Sequence, residues 1–163
     1  MPGCATILVM LPVLLALLVQ SSTISGTLIS PQGSAAPGSA QVVLLPSEYA
    51  QMFNAEAQLR VDQYWNSYKP EFAARKEVFS QAFALAYREA LDIVLSRIRI
   101  NGKVDSGSLI RSATAGRFEF RGVPPGDYKI IATGSIQDTT YVWTEAFRVA
   151  SGPIFLQMKT RVP

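Results

Sequence analysis

Residues Gly116–Ile131 (Gly-Arg-Phe-Glu-Phe-Arg-Gly-Val-Pro-Pro-Gly-Asp-Tyr-Lys-Ile-Ile) constrain the fold of this chain more than any other stretch. Phe118 and Phe120 alternate with Arg117, Glu119 and Arg121, the period-two pattern of a strand with one buried face. Pro124-Pro125-Gly126-Asp127 reads as a tight turn. Pro125 presets φ at its first central position, and Gly126 supplies the positive φ that a type II turn needs next. Tyr128, Ile130 and Ala132 then resume the alternation. The expectation is a two-stranded hairpin.

Elsewhere the pattern is β, then α, then β. Thr23–Ile29 reads as a first strand. Ser30–Ser39 is a loop of turn residues without apolar anchors. In the strand Gln41–Leu45, Val42 and Leu44 face one side and Val43 and Leu45 the other, so it belongs in a sheet interior. Pro46 ends it, and Ser47 is a suitable N-cap. Over 47–99 the period changes: Tyr49, Phe53, Ala57, Val61, Tyr64 and Tyr68 recur at helical spacing, as do Phe72, Phe79, Phe83, Ala86, Ala90, Val94 and Ile98. Pro70 suits a first helical turn, so the spacing predicts helices of ~22 and ~29 residues, roughly 33 and 43 Å long. Leu45 and Ile100 must rejoin one sheet, which favours an antiparallel helical hairpin over a kinked rod. Arg60/Asp62, Arg75/Lys76/Glu77 and Arg88/Glu89 read as its solvated face. Ser108–Thr114, Tyr141–Val149 and Ile154–Lys159 complete about seven strands. Glu145 falls in the apolar register of Tyr141, Trp143 and Phe147, which calls for a bulge or an exposed edge.

The Gly116–Tyr128 segment resembles the central hairpin of the carboxypeptidase regulatory-like domains, a branch of the transthyretin-like (prealbumin-like) β-sandwiches that also includes the collagen-adhesin B-type repeats. Ile24-Ser25-Gly26-Thr27-Leu28, Ala40-Gln41-Val42-Val43-Leu44 and Val149–Leu156 are similar to the opening, second and closing strands of that family. Ala115 departs from its usual Asp or Asn, and a type II turn centred on Ala115-Gly116 is expected instead. The resemblance covers residues 23–46 and 100–160. It implies a mainly β, α+β chain: a seven-stranded transthyretin-like Greek-key β-sandwich of residues 23–46 and 100–163, carrying a long helical hairpin, residues 47–99, between strands 2 and 3. Some collagen-adhesin repeats carry a Lys–Asn/Asp isopeptide bond with the Lys on the first strand. Thr23–Ile29 has no Lys, which argues against that crosslink.

Composition excludes much chemistry. The 163 residues contain no His, and the only Cys is Cys4. Imidazole-based triads, thiolate catalysis and His/Cys metal sites are therefore not expected, nor is any cofactor or metal. Ser25, Ser108, Lys103, Lys129, Glu119 and Glu145 are the raw material for a Ser–Lys or carboxylate pair, but turn and surface roles explain them. The net charge of +3 is dispersed and forms no basic run, so nucleic acid is not an expected partner. Ala5–Val19 is a fifteen-residue apolar run, short for a membrane span but suited to a signal-peptide core. Residues 1–22 are expected to be a signal peptide or N-terminal anchor, although Met-Pro-Gly-Cys lacks the usual positive charge. The protein is thus expected to be exported (periplasmic, cell-surface or extracellular), touching a membrane only through an uncleaved N-terminus.

Two aromatic sets are candidate contact sites. Tyr64, Trp65 and Tyr68, near the expected hairpin tip, fit a protein partner or self-association. Trp143 and Tyr141, with Tyr128, fit stacking on a carbohydrate if exposed. The expected function is a non-enzymatic binding module acting through protein contacts by way of the helical insertion. The alternatives are a carbohydrate-binding module and a structural subunit assembling by edge-strand pairing.

Overall fold

The computed structural model describes residues 21–31, 33 and 37–160. The expected signal-peptide core and most of the Gln32–Ala36 loop lie outside the described residues. The strands are β1 (Ser22–Ile29), β2 (Ser39–Pro46), β3 (Ile110–Thr114), β4 (Arg117–Val123), β5 (Gly126–Ile136), β6 (Thr139–Val149) and β7 (Ile154–Lys159). Helices α1 (Ser47–Ala74) and α2 (Lys76–Asn101) lie between β2 and β3 in the chain, followed by a 3-10 turn at Ser106–Leu109. The class is α+β: one mixed seven-stranded sheet in the order β6-β5-β2-β3-β4-β1-β7, with two long helices. Every pairing is antiparallel except β1 with β7.

The sheet folds over on itself. β3 and β4 pair only at Thr114 and Arg117, beside the turn, and then part. Ala115 and Gly116 both have positive φ (49° and 73°), the type I′ signature rather than the expected type II. One apolar cluster draws on both halves of the ribbon: Ile24, Leu28, Phe118 and Phe120 from one side, Val42, Leu44, Ile130 and Trp143 from the other. Trp143 ties the ends together. It bridges to Thr160, and its indole N–H donates to the Ile29 carbonyl at 2.8 Å.

The expected hairpin across Pro124-Pro125 does not form. β4 pairs with β1 and β3, whereas β5 pairs with β2 and β6. Phe118/Phe120 and Ile130/Ala132 alternate as read, but they enter the same core from opposite sides. The two prolines have no N–H to give a ladder, so the segment acts as a corner between the halves. The Tyr128 hydroxyl donates to the Pro124 carbonyl at 3.0 Å, pinning that corner. The hairpins that do form are β3–β4 and β5–β6.

β2 is covered on both faces. Val42 and Leu44 belong to the core just described, and Val43 and Leu45 to a second core with Tyr49, Phe53, Leu91, Val94 and Ile98 of the helices. Ile131 and Val142 complete the sheet side of this second core. β6 carries Glu145 at an exposed position. Its register with β5 is unbroken from Gly126↔Val149 to Ile136↔Thr139, so the edge, not a bulge, resolves the charge.

The helical run is interrupted beside Pro70, as the sequence predicts, but the chain turns back a few residues further on. α1 spans 28 residues as two helical segments joined across a kink, with Pro70 just past the break. The strain of an internal proline is taken up at Tyr68, whose φ of −126° and ψ of 16° kink the helix. The reversal comes at Arg75, a single extended residue whose N–H reaches the Glu71 carbonyl at 2.8 Å. α2 then runs 26 residues, about 39 Å, to Gly102, whose left-handed φ of 63° closes it.

Candidate functional site

The two helices outrun the sheet. In α1 the buried residues Tyr49, Ala50, Phe53 and Ala57 are followed by none until Phe72, and burial in α2 begins only at Ala84. Residues 58–83 therefore pack mainly helix against helix. Their joint is a ladder of rings: Phe53 to Tyr87 (5.5 Å between centroids), Tyr87 to Phe83 (4.4 Å), Phe83 to Phe79 (6.3 Å), and Phe79 to Phe72 (5.2 Å) and Trp65 (5.6 Å). These spacings are those of favourable edge and offset contacts. The helical stripes follow from period 3.6, and the ladder follows from putting the stripes face to face.

An ionic clamp closes the same joint. Glu89 accepts from Arg60 Nη1 at 3.1 Å and from the Tyr64 hydroxyl at 3.0 Å, and Arg97 pairs with Glu56 at 2.8 Å. Arg60 and Glu89 are thus inter-helix partners, not members of a solvated outer face. Burial, and then the hydrogen bond to Glu89, raises the Tyr64 pKa above its ordinary value of 10.0. The folded state therefore holds this proton more tightly than the unfolded chain. The contribution is complete below pH ~10 and is lost as pH rises through the higher folded value. Alkaline titration of wild type, followed by hydrogen exchange at 58–83, is expected to show loosening above pH ~10 that Tyr64→Phe abolishes. Identical profiles in both proteins would remove Tyr64 from the clamp.

The sequence-derived candidates separate on inspection. Trp65 (40% exposed) and Tyr68 (49% exposed) reach solvent, with Leu59 and Leu85 also exposed on the same stretch of the pair. Tyr64 is half-buried and engaged by Glu89. Lys69 lies 6.0 Å from the Trp65 centroid. Trp143 corrects its carbohydrate assignment: it is 0% exposed, so no ring face is open to a sugar. Tyr141 is half-buried against it at 6.1 Å, and Tyr128 stacks on Phe147 at 6.3 Å.

Four of the six groups that sequence offered as nucleophile or base are tied to other contacts. Ser25 Oγ reaches the Ile154 carbonyl (3.5 Å), Ser108 Oγ the Asp105 carbonyl (2.6 Å), and Lys129 Nζ donates to Asn54 Oδ1 (2.5 Å). Glu119 is ion-paired with Arg121. Among the described residues no cluster of His, Cys, Asp and Glu is arranged to hold a metal ion, and no helix is long and apolar enough to cross a membrane. An open cleft of about 650 Å³ crosses the outer face of β1 and β4 between Thr27, Arg117, Glu119 and Phe155.

What the fold defines is an α+β protein built on a seven-stranded mixed sheet with two long helices. No family model matches the chain, and no curated protein matches it. Solved structures with a similar arrangement include the major pilin subunit BcpA of Bacillus cereus, at 13% identity and a TM-score of 0.43, covering 88% of this chain. Another is the pilus backbone (RrgB) of Streptococcus pneumoniae, at 13% identity and a TM-score of 0.33, covering 83%. The chain spans 31% and 40% of the length of those two proteins.

Proposed function

We propose that this chain is an exported, non-enzymatic binding module that presents the far half of its helical hairpin to a protein partner. The observation that carries this reading is the exposure of Trp65 and Tyr68 on a section of hairpin that has no sheet beneath it. Large rings left at a solvent boundary are the residues that dominate protein interfaces, because they bury much area at little conformational cost. In this reading residues 23–46 and 100–163 are a Greek-key β-sandwich of the carboxypeptidase regulatory-like kind, and residues 47–99 are an insertion into it. The apolar cluster shared by the two halves of the sheet and the position of both helices between β2 and β3 support that division. Export rests on the apolar run at Ala5–Val19.

The test is affinity capture from an envelope extract with wild type and a Trp65→Ser/Tyr68→Ser double variant, together with light scattering of the purified proteins. A stoichiometric companion, or a concentration-dependent oligomer, is expected for wild type. Loss of two central aromatic anchors is expected to weaken it by about 2 kcal/mol or more, roughly 30-fold. Both rings also contact Phe72, so circular dichroism is recorded for each protein, and Tyr68→Phe, which keeps the ring contact, is expected to retain both the helix signal and capture. Equal capture by wild type and the double variant would sink the proposal.

A further inference from the structure

The outer face of the sheet changes character within two residues. Alternation along each strand and the register across them place Ile110, Val43 and Ile131 in one row, all in or against the helix-covered core. The next row is Ser112, Gln41 and Thr133. Beyond it Ser135 and Thr140 face each other, with their hydroxyl oxygens 3.5 Å apart. The helices cover the first row and leave the hydroxyl-bearing ones open. The result is a trough of about 480 Å³ whose floor is Gln41, Ser112, Thr133 and Thr140 and whose wall is Arg88 of α2.

A second hollow of about 260 Å³ continues past Arg88 and Thr140 to Asp138 and Gln81. Arg88 has no ion-pair or hydrogen-bond partner among the described residues. A guanidinium beside a bank of hydroxyls, with a single carboxylate beyond it, is complementary to a ligand of matching pattern. Arg88 offers a planar fork to a carboxylate, the Ser, Thr and Gln side chains exchange hydrogen bonds with ligand hydroxyls, and Asp138 accepts from one more. One cation opposed by one anion suits a monoanion and disfavours a dianion such as phosphate. No aromatic ring lines either hollow among the described residues, so recognition here does not run through stacking.

We propose that this trough binds a carboxylate flanked by hydroxyls, as found in a uronic-acid saccharide or a small hydroxy acid, with Arg88 holding the carboxylate. The site is distinct from the hairpin tip and stands whether or not the tip captures a protein.

The test is calorimetric titration of the full chain with tetragalacturonate, with D-gluconate, with neutral maltotetraose and with inorganic phosphate. One of the two carboxylate ligands is expected to bind, and which one does identifies the source. Binding is expected to weaken with salt. Arg88→Gln is expected to lose at least tenfold in affinity, Arg88→Lys less, and Thr133→Val a few-fold, all with wild-type circular dichroism. Failure of both carboxylates to bind at 10 mM, roughly the top of the useful range for weak ligands, would overturn the proposal. So would equal binding by Arg88→Gln, or a preference for maltotetraose or phosphate.

Discussion

Trp143→Ala is expected to cost about 3–5 kcal/mol of folding stability, a large share of the ~5–15 kcal/mol a domain of this size holds. The ring is fully buried, and it fills the core where the last strand of one half meets the end of β1. Its removal leaves a cavity that rigid strands on both sides cannot collapse to fill. It also strands the Ile29 carbonyl, which accepts the indole N–H at 2.8 Å. Trp143→Phe drops the donor with a much smaller loss of ring volume than Trp143→Ala, and is expected to cost about 1–3 kcal/mol. Urea denaturation of the three proteins reads both numbers. A Trp143→Ala variant within about 1 kcal/mol of wild type would mean that the ring is not a core residue.

Gly26→Val is expected to cost about 3 kcal/mol by overpacking. Gly26 sits in mid-strand, paired with Phe118 on β4 and Leu156 on β7. A Cβ there would run into the Phe118 ring at Cζ and lie 2.9 Å from the Leu156 carbonyl oxygen. The phenyl ring lies across the glycine and takes the space that a side chain would occupy. Gly26→Ala with Phe118→Leu is the informative combination. Each alone destabilises, but the shorter leucine side chain on β4 vacates the space that the new methyl group on β1 needs. The pair is therefore expected to cost at least about 1 kcal/mol less than the two single changes taken together. Strict additivity would place the cause in the backbone contact to Leu156 instead.

Local patterns in the sequence carried over into the structure where the deciding interaction is local. The alternation of Phe118 with Phe120, the two-sided burial of Val42–Leu45 and the helical stripes all appear as read, because each needs only the period of one element. Glu145 announced a bulge or an edge, since a carboxylate is not tolerated in a covered row, and the unbroken register with β5 selects the edge. Pairing partners were not legible. Two strands joined by Pro124-Pro125 look like a hairpin from their spacing alone, and only the shared core decides that they face each other across it. Pro70 was legible in part: the helix breaks at Tyr68 beside it, but ring contacts from Trp65 and Tyr68 to Phe72 keep the next turn in line and delay the reversal to Arg75. The candidate sites split on the same line. Exposure of Trp65 and Tyr68 followed from their place far along the helices, whereas burial of Trp143 depends on a strand more than a hundred residues away. The row of Ser112, Gln41 and Thr133 has no signature in the chain at all, because it exists only across three strands.

The parallel pairing of β1 with β7 has a consequence for the order of events during synthesis. Ile24 has Phe120 on one side and Ile154 on the other, so neither neighbour exists until most of the chain has been made. At roughly 5–20 residues per second, β1 waits on the order of 5–20 s for β4 and longer for β7. The helical pair is local and closes in far less time, whereas the closure that brings β1 home carries the largest loop entropy in the molecule. Until then the Ile24/Leu28 face is an unpaired apolar strand, the segment that a chaperone or a second nascent chain meets first.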